Sequence, residues 1–372
     1  MKIGVFNTAF VGDLVLMGRL IDALHRAGHE IILFSNNAGC SLYENDSRIS
    51  QRISVSKKRG IQKIFSVYEI ASQIKSKRLD VLFLAHRSLT SRLIAHLSRP
   101  PRIISFTDSL SQFPSSFFER FLKEKAQTSL HESDRYLELA RGFVDESVIA
   151  DARLTLQGDS SLKKFLTAFP VFFDDPSEPF FICSPGSVWE TKKYPPTLLA
   201  HVVGKILLAH PRIRCVLSGG PSDAAAIDSL VAEFNSRLGY GEAASRLIDA
   251  RQCLPLPELI ELTRRARFIL TPDSAPLHIG SATGTPTFAF FGPTPFDTGF
   301  GPQAKHSQIL SHETVMGHRL NCQPCSRHGQ TSCPLGHHRC LSNLQPDVVA
   351  DRVLEFLSRR LCDANASVCE SV

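Results

Sequence analysis

The sequence has 372 residues, of which 43% are hydrophobic, and a formal net charge of +6 at pH 7. This length and composition predict two folded domains with real hydrophobic cores and exclude an unfolded chain. No stretch reaches the roughly 18 uncharged apolar residues of a membrane span, and the N-terminus lacks the form of a signal peptide, so we expect a cytoplasmic protein.

The first half of the chain alternates predicted strands and helices. A strand at residues 3–6 is followed by a loop at 7–13, a helix that ends at Gly28, and a strand at 30–35. Further strands are predicted at 80–85 and 102–106, with helices near 61–75 and 88–97. This alternation predicts a doubly wound parallel sheet. The glycines do not form G-x-G-x-x-G, so the fingerprint of an NAD-binding oxidoreductase is absent.

The first part of the chain also carries more than the whole excess of positive charge. Residues 1–125 hold 19 Lys and Arg against 10 Asp and Glu, a net of +9. This asymmetry indicates either an anionic partner, such as a membrane surface or a phosphorylated acceptor, or simply a solvated face. The basic clusters at 57–59, 75–78 and 99–102 lack the interleaved aromatic residues that stack bases, so nucleic acid is the least favoured partner.

A change of composition suggests where the first domain ends. Residues 109–175 are more helical and charged, and 172–179 have the proline and turn content of a linker. We therefore predict a first domain at 1–175 and a second at 176–345. A C-terminal helix within 346–372 is a candidate to cross back to the first domain.

The alternation of strands and helices restarts after the linker. Strands are predicted at 180–184, 214–218 and 246–249, and helices at 197–210, up to about 238, and at 256–265. The stretch 268–294 then reads as strand, loop, helix and strand. The second domain is therefore expected to be another doubly wound sheet.

The turn in this last stretch, Asp273-Ser274-Ala275-Pro276, is the most informative loop. Loops at the carboxyl ends of parallel strands carry ligands, and a helix N-terminus attracts anions, so a phosphate-bearing ligand is expected. Asp273 would bind a sugar hydroxyl or Lys192, and His278 would face the same ligand. Alternatively, Asp273 and Ser274 only cap the helix, and His278 is an ordinary helix residue.

Three other loops also follow predicted strands, and each has two interpretations. Asp13, after Gly12, is either an acceptor of a hydroxyl proton or a helix N-cap. The loop from Ser187 to Lys192 and Lys193 either binds a diphosphate or is an idle surface loop. Asp223 either borders a ribose or base, or serves only the turn. All four loops follow the carboxyl ends of predicted strands, and this shared position favours a single ligand site.

Four cysteines cluster near the C-terminus. Cys322 and Cys325 have metal-ligand spacing, but Cys333 and Cys340 lie further apart than in the usual zinc ribbon. A cytoplasmic location disfavours disulfides. The cluster is therefore either a structural metal site or a set of reduced, packed cysteines.

Taken together and in this order, these motifs resemble glycosyltransferase family 9, the lipopolysaccharide heptosyltransferases. The resemblance covers essentially the whole chain and is weakest at about 40–175. It rests on Gly12-Asp13, the loop at 185–187 with 192–195, the turn at 273–278, the segment 291–294 and the tail at 322–341.

The resemblance implies an α/β fold of the GT-B type, in which two Rossmann-like doubly wound domains face each other across a cleft. It implies an inverting, metal-independent glycosyltransferase without a catalytic cofactor. Such an enzyme moves heptose from ADP-heptose to a Kdo or heptose hydroxyl of the lipopolysaccharide inner core. The acceptor would be of the lipid A–Kdo type, on the cytoplasmic side of the inner membrane, so a transient contact with an anionic membrane surface is expected.

The same resemblance assigns roles to residues. Asp13 would be the general base, and Lys192 would pair with the donor phosphates, with Lys193 as the alternative because the loop is slightly shorter than in some family members. Ala275 departs from the family pattern, which commonly has Gly there. The alternatives are a transferase of the same fold with another nucleotide sugar or acceptor, and a nucleotide-sugar-binding module without transfer activity. The candidate donor-binding residues are Gly12, Ser187, Lys192, Lys193, Asp223, Asp273, Ser274, Ala275 and His278.

Overall fold

The structure, a computed structural model, describes residues 1–56, 62–106, 121–122, 130–175, 178–237, 239–297 and 299–369. The chain divides into two compact units. Unit 1 comprises Met1–Ser160, Leu256–Glu261 and a short segment at 298–300, and unit 2 comprises the remainder. The predicted basic cluster at 57–59, the start of the helix expected from residue 61, and part of the predicted linker lie outside the described residues.

Unit 1 is built on a six-stranded sheet of parallel neighbours. Its strands are β1 (Lys2–Asn7), β2 (Glu30–Ser35), β3 (Gln51–Ser54), β4 (Val81–Leu84), β5 (Arg102–Ser105) and β6 (Phe121–Leu122). Its helices are α1 (Val11–Leu16), α2 (Gly18–Arg26), α3 (Asn37–Leu42), α4 (Gln62–Ser76), α5 (Leu89–Ser98), α6 (Glu132–Glu138) and α7 (Glu146–Asp151).

Unit 2 is built on a second sheet of the same kind. Its strands are β7 (Phe180–Cys183), β8 (Arg214–Leu217), β9 (Leu247–Asp249), β10 (Ile269–Pro272), β11 (Thr287–Phe291) and β12 (Gln308–Ser311). The remaining helices are α8 (Lys163–Ala168), α9 (Pro196–Ala209), α10 (Ala224–Ser236), α11 (Leu256–Arg265), α12 (Ala275–Thr283), α13 (His312–Met316), α14 (Arg339–Ser342) and α15 (Pro346–Cys369). The first residues of α11 group with unit 1.

The two sheets have the same topology. In unit 1 the strands run in the order β3-β2-β1-β4-β5-β6, and in unit 2 in the order β12-β11-β10-β7-β8-β9. Each unit therefore has the strand order of a Rossmann fold, with a topological switch point between its first and fourth strands. Ligands of such sheets bind beyond the carboxyl ends of the strands at this point. The switch points lie between β1 and β4 and between β7 and β10.

The division between the units falls earlier than the predicted boundary after residue 175. Phe165 and Phe172 lie edge to face with ring centroids 4.9 Å apart, and Phe172 lies 5.2 Å from Phe180 of β7. The guanidinium of Arg214 stacks on Phe172 at 4.0 Å. These contacts attach the segment after Ser160 to unit 2. Packing of the aromatic rings stabilises this attachment, although the residues that follow them have the composition of a linker.

The C-terminal helix α15 packs on α9 and belongs to unit 2, not to unit 1 as considered from the sequence. Its residues Val349, Val353 and Phe356 join the core of unit 2. Phe356 lies edge to face with Phe288 of β11, with centroids 5.4 Å apart. Among the described residues, no helix is long and apolar enough to cross a membrane.

Candidate active site

Three side chains converge at the carboxyl edge of the sheet in unit 2. The Lys192 Nζ donates to Asp273 Oδ2 at 2.6 Å, and the Thr294 hydroxyl donates to the same oxygen at 2.9 Å. Lys192 follows β7, Asp273 follows β10 and Thr294 follows β11, which are neighbouring strands. Asp273 is buried and the Lys192 side chain is only 12% exposed. The parallel sheet thus places a buried ion pair at its switch point.

The loops after β7 and β8 are joined at the same edge. The hydroxyls of Ser184 and Ser218, at the ends of these strands, lie 2.5 Å apart. Asp223 Oδ2 accepts from the Gly220 amide at 2.8 Å, and its carboxyl packs against Gly186. A Cβ on Gly186 would lie 2.1 Å from Asp223 Cγ, so this close approach requires glycine.

The helix α12 begins at this edge, and its N-cap differs from the expectation. Ser274 occupies the N-cap position, but its side chain makes no capping hydrogen bond. Its hydroxyl lies 3.1 Å from the hydroxyl of Thr271 instead. Ala275 is the first residue of the helix, and His278, in its first turn, is buried. The positive end of the helix dipole therefore points to the edge where Lys192 and Asp273 meet.

The two adjacent lysines have different partners. Lys193 Nζ donates to Glu190 Oε1 in the same loop, whereas Lys192 reaches Asp273. The next residue, Tyr194, stacks on Phe290 with ring centroids 4.3 Å apart and donates to the carbonyl of Leu344 at 2.7 Å. This anchored tyrosine fixes the end of the loop. Ser187, nearer its start, is buried and accepts from the Trp189 amide at 3.3 Å.

The cysteine-rich tail supports the Lys192 loop, a role that the sequence analysis did not identify. The Thr191 amide donates to the Gln330 carbonyl at 3.1 Å, and the Gln330 amide donates to the Thr191 hydroxyl at 2.8 Å. His338 Nε2 lies 2.7 Å from the Thr191 carbonyl. Gly329 packs against Trp189 and the Lys192 stem. The tail is therefore one wall of the loop that positions Lys192.

The four clustered cysteines in this tail are free thiols. Burial raises the pKa of Cys340 to about 12, and Cys325, Cys333 and Cys322 contribute to the same rise. Backbone amides, led by that of His338, lower the pKa of Cys333. Within the described part of the chain, no group of three or more His, Cys, Asp and Glu side chains is arranged to hold a metal. A metal in this cluster stays a prediction.

In unit 1, Asp13 lies at the carboxyl edge but is not a helix N-cap. The helix α1 starts at Val11, Phe10 takes the N-cap position, and Asp13 is the third helical residue, with Gly12 just before it. The capping interpretation of Asp13 is therefore wrong in position, because the helix begins earlier than its apolar pattern indicates. A carboxylate in the first turn still interacts favourably with the helix dipole. Asp13 is half-buried, so solvent reaches it.

Side chains from both neighbouring strands fix the loop that precedes Asp13. Asn36, after β2, donates to the carbonyls of Thr8 and Ala9 at 3.3 and 3.1 Å. The Thr8 hydroxyl lies 2.8 Å from Nδ1 of His86, which follows β4. His86 therefore sits at the switch point of unit 1. Its position directly after a predicted strand was the sequence signal that could have identified it.

A buried tyrosine also lies near Asp13. Burial raises the pKa of Tyr136 well above its usual value, and the negative charges of Asp13 and Glu132 raise it further. Asn7 Nδ2 donates to the Tyr136 hydroxyl at 3.5 Å. Glu132 is itself paired with Arg87 at 3.2 Å. The phenol of Tyr136 therefore interacts electrostatically with Asp13, and this interaction could not be predicted from the sequence because it joins distant segments.

Comparison with protein families and individual proteins shows which known proteins this chain resembles. The family model described as glycosyltransferase family 9 (heptosyltransferase) matches residues 67–333. A lipooligosaccharide heptosyltransferase 2 from Campylobacter jejuni subsp. jejuni serotype O:6 is 37% identical over 84 residues, which are 23% of this chain and 24% of that protein. The chain thus spans about a quarter of the length of the curated relatives it matches.

Two solved structures cover nearly the whole chain. The E. coli ADP-heptose lps heptosyltransferase II superimposes with a TM-score of 0.74 at 18% identity, covering 97% of this chain and 99% of that one. The E. coli heptosyltransferase WaaC with ADP-2-deoxy-2-fluoro heptose gives a TM-score of 0.64 at 16% identity, covering 97% and 100%. At these identities the likeness concerns the fold. The predicted GT-B fold class, with two Rossmann-like domains, is confirmed.

Proposed function

The chain belongs to glycosyltransferase family 9, and on this premise we propose that it transfers heptose from ADP-heptose to a Kdo or heptose hydroxyl of the lipopolysaccharide inner core. The observation that carries the proposal is the meeting of Lys192, Asp273 and Thr294 at the switch point of unit 2. A fixed cation and a helix N-terminus at such an edge both favour binding of the diphosphate of a nucleotide sugar. This edge has both.

In the proposed reaction, unit 2 holds the donor. The Lys192 ammonium and the N-terminus of α12 stabilise the negative charge that builds on the departing ADP as its bond to the anomeric carbon breaks. Asp273 keeps Lys192 oriented, and the Asp223 loop borders the nucleoside. The mechanism assigns this stabilisation to protein groups and requires neither a metal ion nor a cofactor.

Unit 1 supplies the base. The Asp13 carboxylate takes the proton of the acceptor hydroxyl while the hydroxyl oxygen forms a bond to the anomeric carbon. Because attack is in line with the departing diphosphate, the configuration at this carbon inverts. The loop before Asp13 is held by Asn36 and His86, so the carboxylate is positioned before the acceptor arrives.

The acceptor in this proposal is borne by a lipid of the lipid A–Kdo type on the cytoplasmic side of the inner membrane. The net charge of +9 in residues 1–125 supports an anionic partner for unit 1. Contact with such a membrane is peripheral and transient.

A transfer assay with purified protein tests the proposal. Thermal shifts with ADP-, UDP- and GDP-sugars identify the donor, since a ligand selective for the native state raises its stability. Mass spectrometry then follows addition of heptose to Kdo–lipid A. We expect a shift with ADP-heptose and a product heavier by one heptose. Binding of ADP-heptose without any product would instead indicate a binding module, and selective transfer from another nucleotide sugar would indicate a different donor.

A further inference from the structure

Two neighbouring helices of unit 1 expose an unusual number of large apolar side chains. On α4, Ile64, Phe65 and Tyr68 are 61%, 71% and 60% exposed, and on α5, Leu89 and Leu93 are 58% and 46% exposed. We call these five residues the α4–α5 surface. Single exposed apolar residues are ordinary, but a group on adjacent helices marks an interaction site.

The inner faces of the two helices show that the five residues point the same way. Val67 and Ile74 of α4 and Ile94 of α5 lie in one core cluster with Phe34 and Leu82 of the sheet. The two helices therefore cover the same face of the sheet side by side. Their opposite faces, which carry the exposed residues, both turn away from that sheet.

The surface lies at the edge of the sheet that carries Asp13. In a parallel sheet each helix starts where the preceding strand ends, at the carboxyl edge. Ile64, Phe65 and Tyr68 lie in the first two turns of α4, and Leu89 and Leu93 lie in the first two turns of α5. The apolar groups are therefore at the end of both helices that is nearest to the loop of Asp13. Phe10, three residues before Asp13, is also 62% exposed.

Exposed basic residues lie at the opposite, C-terminal ends of the same two helices and favour an anionic partner. Lys75 shares the outer face of α4 with Phe65 and Tyr68, since the three are spaced by three and seven residues. Arg78 and Arg99, which follow α4 and α5, are exposed. Glu69 is the acidic group on the outer face of α4. These exposed basic residues are part of the net of +9 in residues 1–125, and Asp80, which follows Arg78 and Leu79, is an exposed acidic neighbour.

We propose that the α4–α5 surface docks unit 1 on an anionic lipid bilayer. The two helices lie along the bilayer surface: Phe65, Tyr68 and Leu93 enter the headgroup region, and Lys75 and Arg99, further along the same helices, contact anionic headgroups. This proposal deepens the proposed function, on which it rests for the lipid-borne acceptor. Because the apolar residues lie at the ends of the helices nearest the Asp13 edge, docking through this surface keeps that edge close to the membrane, where the acceptor resides.

The test compares vesicle binding of the whole chain and a surface variant. The variant Phe65→Gln/Tyr68→Gln/Leu93→Gln removes the apolar groups but keeps good helix formers. The control is Leu208→Gln on α9 of unit 2, because Leu208 is 43% exposed and matches Leu93. Binding is measured by flotation with vesicles of phosphatidylethanolamine and phosphatidylglycerol, and with phosphatidylcholine vesicles.

We expect the wild type and the control to float with the anionic vesicles and to bind phosphatidylcholine more weakly. The triple variant should bind the anionic vesicles at least about tenfold more weakly than the wild type. Added salt should weaken the binding of the wild type. Equal binding by the variant and the wild type would overturn the proposal. A wild-type protein that does not bind the vesicles would also overturn it. So would an oligomer, detected by sedimentation, that the triple substitution dissociates, because the surface would then contact a second copy of the chain.

A parallel readout separates this inference from the proposed function. The triple variant should keep the thermal shift with ADP and the transfer of heptose to a deacylated, water-soluble acceptor. Loss of vesicle binding with these activities intact supports the docking surface. Unchanged vesicle binding by the triple variant would contradict the docking surface. A wild type that transfers no heptose would contradict the proposed function, so the two failures can be told apart.

Discussion

At the scale of single residues, the structure gives two adjacent lysines different partners. Lys192 is paired with the buried Asp273, and Lys193 with the exposed Glu190 of its own loop. We expect Lys192→Met to weaken ADP binding by roughly ten- to hundredfold, because a hydrogen bond to a charged group contributes about 1.5–3 kcal/mol. Isothermal titration calorimetry with ADP measures this directly.

The matched control for this prediction is Lys193→Met, which removes the same charge one residue later. ADP affinity should change by less than about twofold, since the Lys193 ammonium is held by Glu190 of its own loop, whereas that of Lys192 contacts Asp273. Equal losses of affinity in both variants would show that the loop attracts the diphosphate by its total charge and not through a positioned Lys192.

At the scale of elements, the cysteine-rich tail contacts the Lys192 loop and so supports the carboxyl edge of the unit 2 sheet. Gly329 has a φ of +92° and packs against Trp189, so that a Cβ there would lie 2.7 Å from the Trp189 Cβ. We expect Gly329→Ala to push the loop away and to weaken ADP binding by about fivefold, equivalent to about 1 kcal/mol. Titration calorimetry measures the affinity, and thermal unfolding monitors the fold.

Gly336→Ala is the control because Gly336 has a φ of +70° but no atom within 4 Å of its Cβ position. Both substitutions force alanine into the left-handed region, at a cost of about 1–2 kcal/mol. Only Gly329→Ala adds a clash with the loop. If both variants lost stability and neither lost ADP affinity, the tail would be a structural appendage without influence on Lys192.

Most elements could be predicted from the sequence, and the exceptions have physical reasons. The strand at Glu30–Ser35 matches its prediction because a buried parallel strand is a continuous apolar run. The edge strands β3 and β12 were missed, since Gln51–Ser54 and Gln308–Ser311 are short and partly polar. The predicted helix to Gly28 is two helices, α1 and α2, which meet at Met17.

At the scale of the whole molecule, both units repeat one topology, and the candidate residues gather at the switch point of each. The positions of Asp13, Lys192 and Asp273 after the ends of strands could be predicted from the sequence, because in a parallel sheet all strands end at the same edge. It could not show that Thr191 pairs with Gln330 or that Tyr136 lies near Asp13, because those neighbours are brought together only by tertiary packing. The division of the chain into two units after Ser160 also results from tertiary packing, so it could not be predicted from the sequence.

The central claim is that Asp13 of unit 1 deprotonates the acceptor while unit 2 holds the donor. The most direct test is the rate of heptose transfer by Asp13→Asn at saturating ADP-heptose, with the donor Kd measured in parallel. We predict a rate lower by about 10²- to 10⁴-fold, the usual contribution of a general base, and a donor Kd that changes by less than about twofold. An unchanged rate of transfer in Asp13→Asn would contradict the account.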